Sequence, residues 1–130
     1  MVNVRTDKML KRLAVLALLF VPQAAAAESL FTCNYHHFSS DLLKVEKATG
    51  FDLSFIVRDD ATASMIGNAG AAPVHPVIGE DQITFFETTA SGNFMMTTID
   101  FGRLNSVHSR HTVMNGELVP SQYYGRCIHQ

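Results

Sequence analysis

The stretch Phe51-Asp-Leu-Ser-Phe-Ile-Val-Arg58 decides the fold. Phe51, Leu53, Phe55 and Val57 fall on one side of an extended chain, and Asp52, Ser54 and Arg58 on the other. This period-two alternation belongs to a strand with one buried face. Asp59-Asp60 ends it with side chains that favour turns. On either side of this strand, turn residues recur about every ten positions, the rhythm of an all-β domain. Further strands are expected over residues 29–35, 62–67, 74–78, 82–88, 93–101, 106–114 and 118–127, separated by Asn68-Ala-Gly70, Gly79-Glu-Asp81, Ser91-Gly92 and Asn115-Gly116. Asn115-Gly116 is the strongest hairpin signal, because a type I′ turn needs positive φ at both central residues. One helix is suggested over residues 39–49, with serine and Asp41 at its start, Leu42, Leu43 and Val45 within it and Gly50 as a stop. About eight short strands joined by short turns predict an antiparallel barrel or a tightly rolled sandwich.

The N-terminus reads as an export signal. Arg5, Lys8, Lys11 and Arg12 precede the apolar run Leu13–Val21, and Ala24-Ala-Ala-Ala27 supplies small residues for cleavage near Glu28. Nine apolar residues fall well short of the roughly 20 that cross a bilayer. Leu30, Phe31 and Thr32 before Cys33 are too large for a lipid-anchoring site, so no stable membrane anchor is expected. The expected organisation is therefore a signal peptide at 1–27 and a single small β domain at 28–130, in the periplasm or secreted. Two cysteines remain, Cys33 and Cys127. In an exported chain they read as a disulfide joining the two ends, with two free buried thiols as the alternative.

Four of the ten basic residues leave with the signal and only one of the twelve acids, so six basic residues face eleven acidic ones in the mature chain. That balance argues against nucleic acid, which selects clustered Lys and Arg, and suits a basic protein partner. The six histidines lie at positions 36, 37, 75, 108, 111 and 129. On strands, His36 and His37 point to opposite faces, as do His108 and His111, so no metal site is expected and no cofactor is implied. There is no nucleophile elbow, and the paired acids Asp59-Asp60 and Glu80-Asp81 fall in turns, so the chain is not expected to be an enzyme. Recognition-grade side chains concentrate instead at Ser91, Gly92, Asn93 and Phe94, with His108 and Arg110 on one strand face and Tyr124 beside Tyr123 downstream. These form the candidate binding surface. The competing role is structural, with Tyr123 and Tyr124 closing the barrel beside Cys127 and with Met95 and Met96 filling the core.

The order of an early Phe31-Thr-Cys33, a late Ser91-Gly92 loop and a cysteine near the end resembles the periplasmic inhibitors of c-type lysozyme. In that family a Ser-Gly-x-x-Tyr loop enters the lysozyme cleft, and its serine meets the catalytic acids. The resemblance implies that role for Ser91 and Gly92, with Phe94 one place early and Met95 where the tyrosine stands. The family's Thr-Lys-Gly motif has Phe101-Gly102-Arg103 as its nearest counterpart here. The tail from His108 to Cys127 is also similar to that of small exported proteobacterial β-barrel proteins of unassigned function. The expected function is a non-catalytic binding or interaction protein. The alternatives are lysozyme inhibition through Ser91-Gly92 and carriage of a small apolar ligand inside the barrel.

Overall fold

The computed structural model describes residues 28–40 and 44–130. The segment read as a signal peptide lies outside the described residues. Eight strands follow one another: β1 (Glu28–Ser40), β2 (Lys44–Arg58), β3 (Ala63–Gly67), β4 (Gly70–Ile78), β5 (Gln82–Thr88), β6 (Phe94–Asp100), β7 (Asn105–Met114) and β8 (Glu117–His129). Each pairs antiparallel with the next, and β8 returns to β1 to close a barrel. Of the two expected architectures, the closed barrel is the one adopted, and closure leaves no strand edge open to another chain.

The inward face of β2 carries Phe51, Leu53, Phe55 and Val57, as the alternation requires, and Phe55 stacks on Phe85 from β5 with ring centroids 4.4 Å apart. Ile83, Ile99, Phe31 and Tyr35 complete a filled centre. The disulfide joins Cys33 to Cys127, which oppose each other across the β1–β8 ladder, so the covalent bond sits on the seam that closes the barrel. At the tip of the last hairpin, Asn115 has φ 53° and Gly116 φ 82°, the pair of positive values expected of a type I′ turn.

The suggested helix does not form. β1 continues to Ser40, and β2 begins at Lys44, with His37 opposite Lys47 and Phe38 opposite Glu46; residues 41–43 lie outside the described residues. The physical reason is the ladder available to β1 on its other side, where β8 pairs as far as Ser40↔Ser121. Three clustered apolar residues offer a helix no long stripe to bury, whereas the strand gains backbone partners on two sides. A β-bulge between Tyr35 and His37 shifts the register of both β1 ladders. Beyond it, Phe38 faces inward and lies near Tyr123, with ring centroids 6.0 Å apart.

Candidate functional site

The turns at Gly67–Gly70, Thr89–Asn93 and Asn115-Gly116 all lie at one end of the barrel, and the inward faces of β2, β3, β5, β6 and β7 widen there into a cavity of about 530 Å³. Its walls include Phe51, Met65, Glu87, Met95 and Arg110. The opposite mouth holds a pocket of about 360 Å³ between Phe31, Val57, Ile78, Ile83 and Leu104, with no Asp, Glu, Lys or Arg in its lining. Between the two mouths the stacked Phe55 and Phe85 fill the barrel, so among the described residues these two spaces lie at its ends.

The inward face of β7 is built from Ser106, His108 and Arg110, an unusually polar set for a barrel core. Ser106 and His108 are fully partnered there, and Arg110 is partnered through Nε. Ser106 Oγ donates to the carbonyl of Thr98 at 3.0 Å and therefore accepts from Tyr35 Oη, 2.7 Å away. Burial raises the pKa of that fully enclosed phenol. His108 is 1% exposed. Arg110 Nε donates to its Nε2 at 3.0 Å, so the neutral ring carries its proton on Nδ1 and donates to Thr97 Oγ1 at 2.7 Å. The Arg110 guanidinium lies 5.1 Å from the Phe51 ring and 4.8 Å from the Tyr123 ring, held between two aromatic faces by cation–π attraction.

Burial first, and the adjacent Arg110 second, lower the His108 pKa to about 4 from an ordinary 6.5. The unfolded chain therefore takes up a proton that the folded one refuses. Stability is fully present above about pH 6.5, falls as pH drops towards 4, and the complete loss is about 3 kcal/mol. Urea midpoints between pH 6.5 and 5 should show this slope in the wild-type chain, and His108→Gln should flatten it. An equal slope in the variant would place the titrating group elsewhere.

The structure brings some of the sequence-derived site residues together and separates others. His108 and Arg110 share one inward cluster with Tyr123, Phe51 and Tyr35, but His108 is enclosed and Arg110 alone lines the mouth. Tyr124 occupies the alternate position on β8 and faces outward, donating to Gln122 Oε1 at 2.9 Å. Of the two methionines expected in the core, Met95 faces the mouth and Met96 lies outside, 37% exposed, as strand alternation requires. His36 and His37 differ from expectation: the bulge takes their backbone out of regular strand geometry, and their rings meet edge to face at 4.6 Å. Among the described residues, no group of three or more His, Cys, Asp or Glu is placed to hold a metal.

The Ser91 loop borders the same mouth through Thr89. Ser91 Oγ lies 2.9 Å from Thr89 Oγ1 and accepts from Asn93 Nδ2 at 3.1 Å. Asn93 Oδ1 accepts from the backbone of Val113 at 3.3 Å, and Gly92 takes φ 84°. The loop is thereby pre-shaped and docked on β7. Phe94 leaves it on the outer side, beside Phe86 and His111. Glu87, Phe51 and Met65 are wall residues absent from the candidate set drawn from sequence. Glu87 could have been found, because it continues the inward series Ile83, Phe85 on β5 as a carboxylate on an apolar face.

Comparison of the chain with protein-family models, with curated proteins and with solved structures finds no match. The functional reading therefore rests on the geometry of the mouth.

Proposed function

We propose that the mature chain is an exported, non-catalytic binding protein that takes a small amphipathic molecule into the mouth beside Arg110. The observation that carries this reading is the cavity itself. At about 530 Å³ it is of ligand size, and it sets apolar walls from Phe51, Met65 and Met95 against a few convergent polar groups. This is the carrier idea moved from the barrel's centre to its end. The non-catalytic part is supported by His108, whose two ring nitrogens are already engaged by Thr97 and Arg110, and by His111 on the outer face.

Nuclear magnetic resonance of the oxidised mature chain, titrated with a set of small amphipathic acids, amines and peptides, tests the proposal. Binding is expected to shift Phe51, Met65, Met95 and Arg110. Ala72→Phe, which places a ring in the cavity, should abolish the shifts while preserving the barrel. No shift at these residues with any probe at millimolar concentration would overturn the reading.

A second reading is lysozyme inhibition through the rim of the same mouth. It is favoured by the exposed, pre-shaped Ser91 loop and by the acidic balance, which suits a basic partner. Inhibition of c-type lysozyme that disappears in Ser91→Ala would support it. Full lysozyme activity at micromolar excess of the protein would eliminate it.

A further inference from the structure

The mouth contains two opposite charges that do not meet. Glu87 Oε2 is buried and has no hydrogen-bond partner among the described residues. Leaving a carboxylate oxygen in that condition costs its full desolvation, so such a group in a folded protein asks for an occupant that completes it. Arg110 spends Nε on His108, and its terminal nitrogens make no hydrogen bond or ion pair among the described residues. Both side chains line the same cavity. What keeps them apart is the register: Glu87 opposes Met95 on β6, and Met95 opposes Arg110 on β7. Two ladder steps separate their backbones by about 10 Å, with the apolar Met95 between them.

We infer that the occupant of the mouth is a small zwitterion of about dipeptide length, with its ammonium at Glu87 Oε2, its carboxylate on the terminal N–H groups of Arg110 and an apolar side chain against Met65 and Met95. The inference rests on the reading of the mouth as a ligand site. A fatty acid would complete Arg110 and leave Glu87 without a donor, and a simple amine would do the reverse. A free α-amino acid carries both charges on one carbon, whereas an extended dipeptide separates them by about 7 Å, closer to the about 10 Å between the two backbones. The aromatic faces of Phe51 and Tyr123 hold the guanidinium plane in place before the ligand arrives, so little ordering is left for binding to accomplish. Asp52, which also lines the cavity, is already engaged by Asn34 Nδ2 at 2.6 Å.

The test uses the oxidised mature chain and four versions of one peptide: leucyl-alanine, its N-acetyl form, its amide, and the form capped at both ends. Calorimetry should give the free dipeptide at least a tenfold tighter Kd than either singly capped form, and the doubly capped form should be weakest. Glu87→Gln keeps the shape of the side chain and removes its charge; it should reduce the dipeptide to the level of its N-acetyl form. Because it removes the charge from a side chain with one buried, unpartnered oxygen, it should melt no lower than wild type. If the doubly capped peptide binds as tightly as the free one, the zwitterion inference falls and the mouth remains a ligand site. The same follows if an amphipathic acid or amine shifts the mouth resonances and no dipeptide does. If no small molecule of any class shifts them, both readings fall.

Discussion

Gly125→Ala is expected to prevent the barrel from closing. Gly125 lies on β8 opposite Tyr35 at the edge of the β1 bulge and opposite Ser106 on β7. A Cβ placed there would run into the backbone oxygen of Asn34, come within 2.8 Å of its carbonyl carbon and within 2.9 Å of Tyr35 Cδ1. The first two obstacles are backbone, which no rotamer change relieves, and Tyr35 is itself fixed by its bond to Ser106. β8 cannot move aside, because it is hydrogen-bonded to β1 on one side and β7 on the other. Overpacking in an ordinary core costs about 1–3 kcal/mol. With main chain in the clash and β8 held by ladders on both sides, a loss of at least about 4 kcal/mol is expected, a large share of a small domain's stability. Gly50→Ala is the matched control, since its Cβ would meet Tyr35 O at an ordinary 3.5 Å and should change stability by less than about 1 kcal/mol. Urea denaturation of the two variants makes the comparison. A Gly125→Ala chain as stable as the Gly50→Ala chain would show that the bulge yields.

Replacing both Cys33 and Cys127 by alanine should produce the other large effect. The bond spans a sequence separation of 94 residues, for which chain entropy alone gives about 4–5 kcal/mol. In a domain of this size that corresponds to a fall in Tm of about 20–30 °C. The position on the β1–β8 seam concentrates the effect, because the two strands it joins are the first and last in sequence and their pairing is the most non-local in the fold. Melts of the double variant, alongside wild type with and without reductant, measure it. A fall of under about 5 °C would mean that the ladder closes unaided. Cys33 is fully buried and Cys127 nearly so, so reduction of the native protein should also be slow, limited by opening of the seam.

Much of the architecture was legible because it follows from alternation and turn chemistry. The apolar series on β2 predicted its buried face residue by residue, and Asn115-Gly116 predicted its turn. The misread regions share a different cause, namely that local pattern does not see ladder partners. Residues 39–49 have weak helical features, yet residues 39–40 and 44–49 lie in β1 and β2, because β8 is there to receive β1. His36 and His37 needed the bulge, which lies where β1 meets Gly125, a residue almost ninety positions away. The candidate site divides along the same line. The Ser91 loop and Arg110 stood out as residue types. On β7, however, the inward face is Ser106, His108 and Arg110 while valines at 107 and 113 look outward, so hydrophobic periodicity alone assigns that strand the wrong way round. Glu87 was visible as a charge in step with Ile83 and Phe85, but its meaning came only when the register placed it across the mouth from Arg110.

The seam disulfide also bears on how the protein meets proteases. A cut in any turn between β2 and β8 divides the chain, but both fragments keep one half of the Cys33–Cys127 bond. Each also remains laddered to the other along β1 and β8. A nicked molecule therefore loses continuity without losing a piece, and its ends are held at the concentration of an intramolecular encounter. Its mouth can stay assembled after damage that would disperse an unstapled barrel.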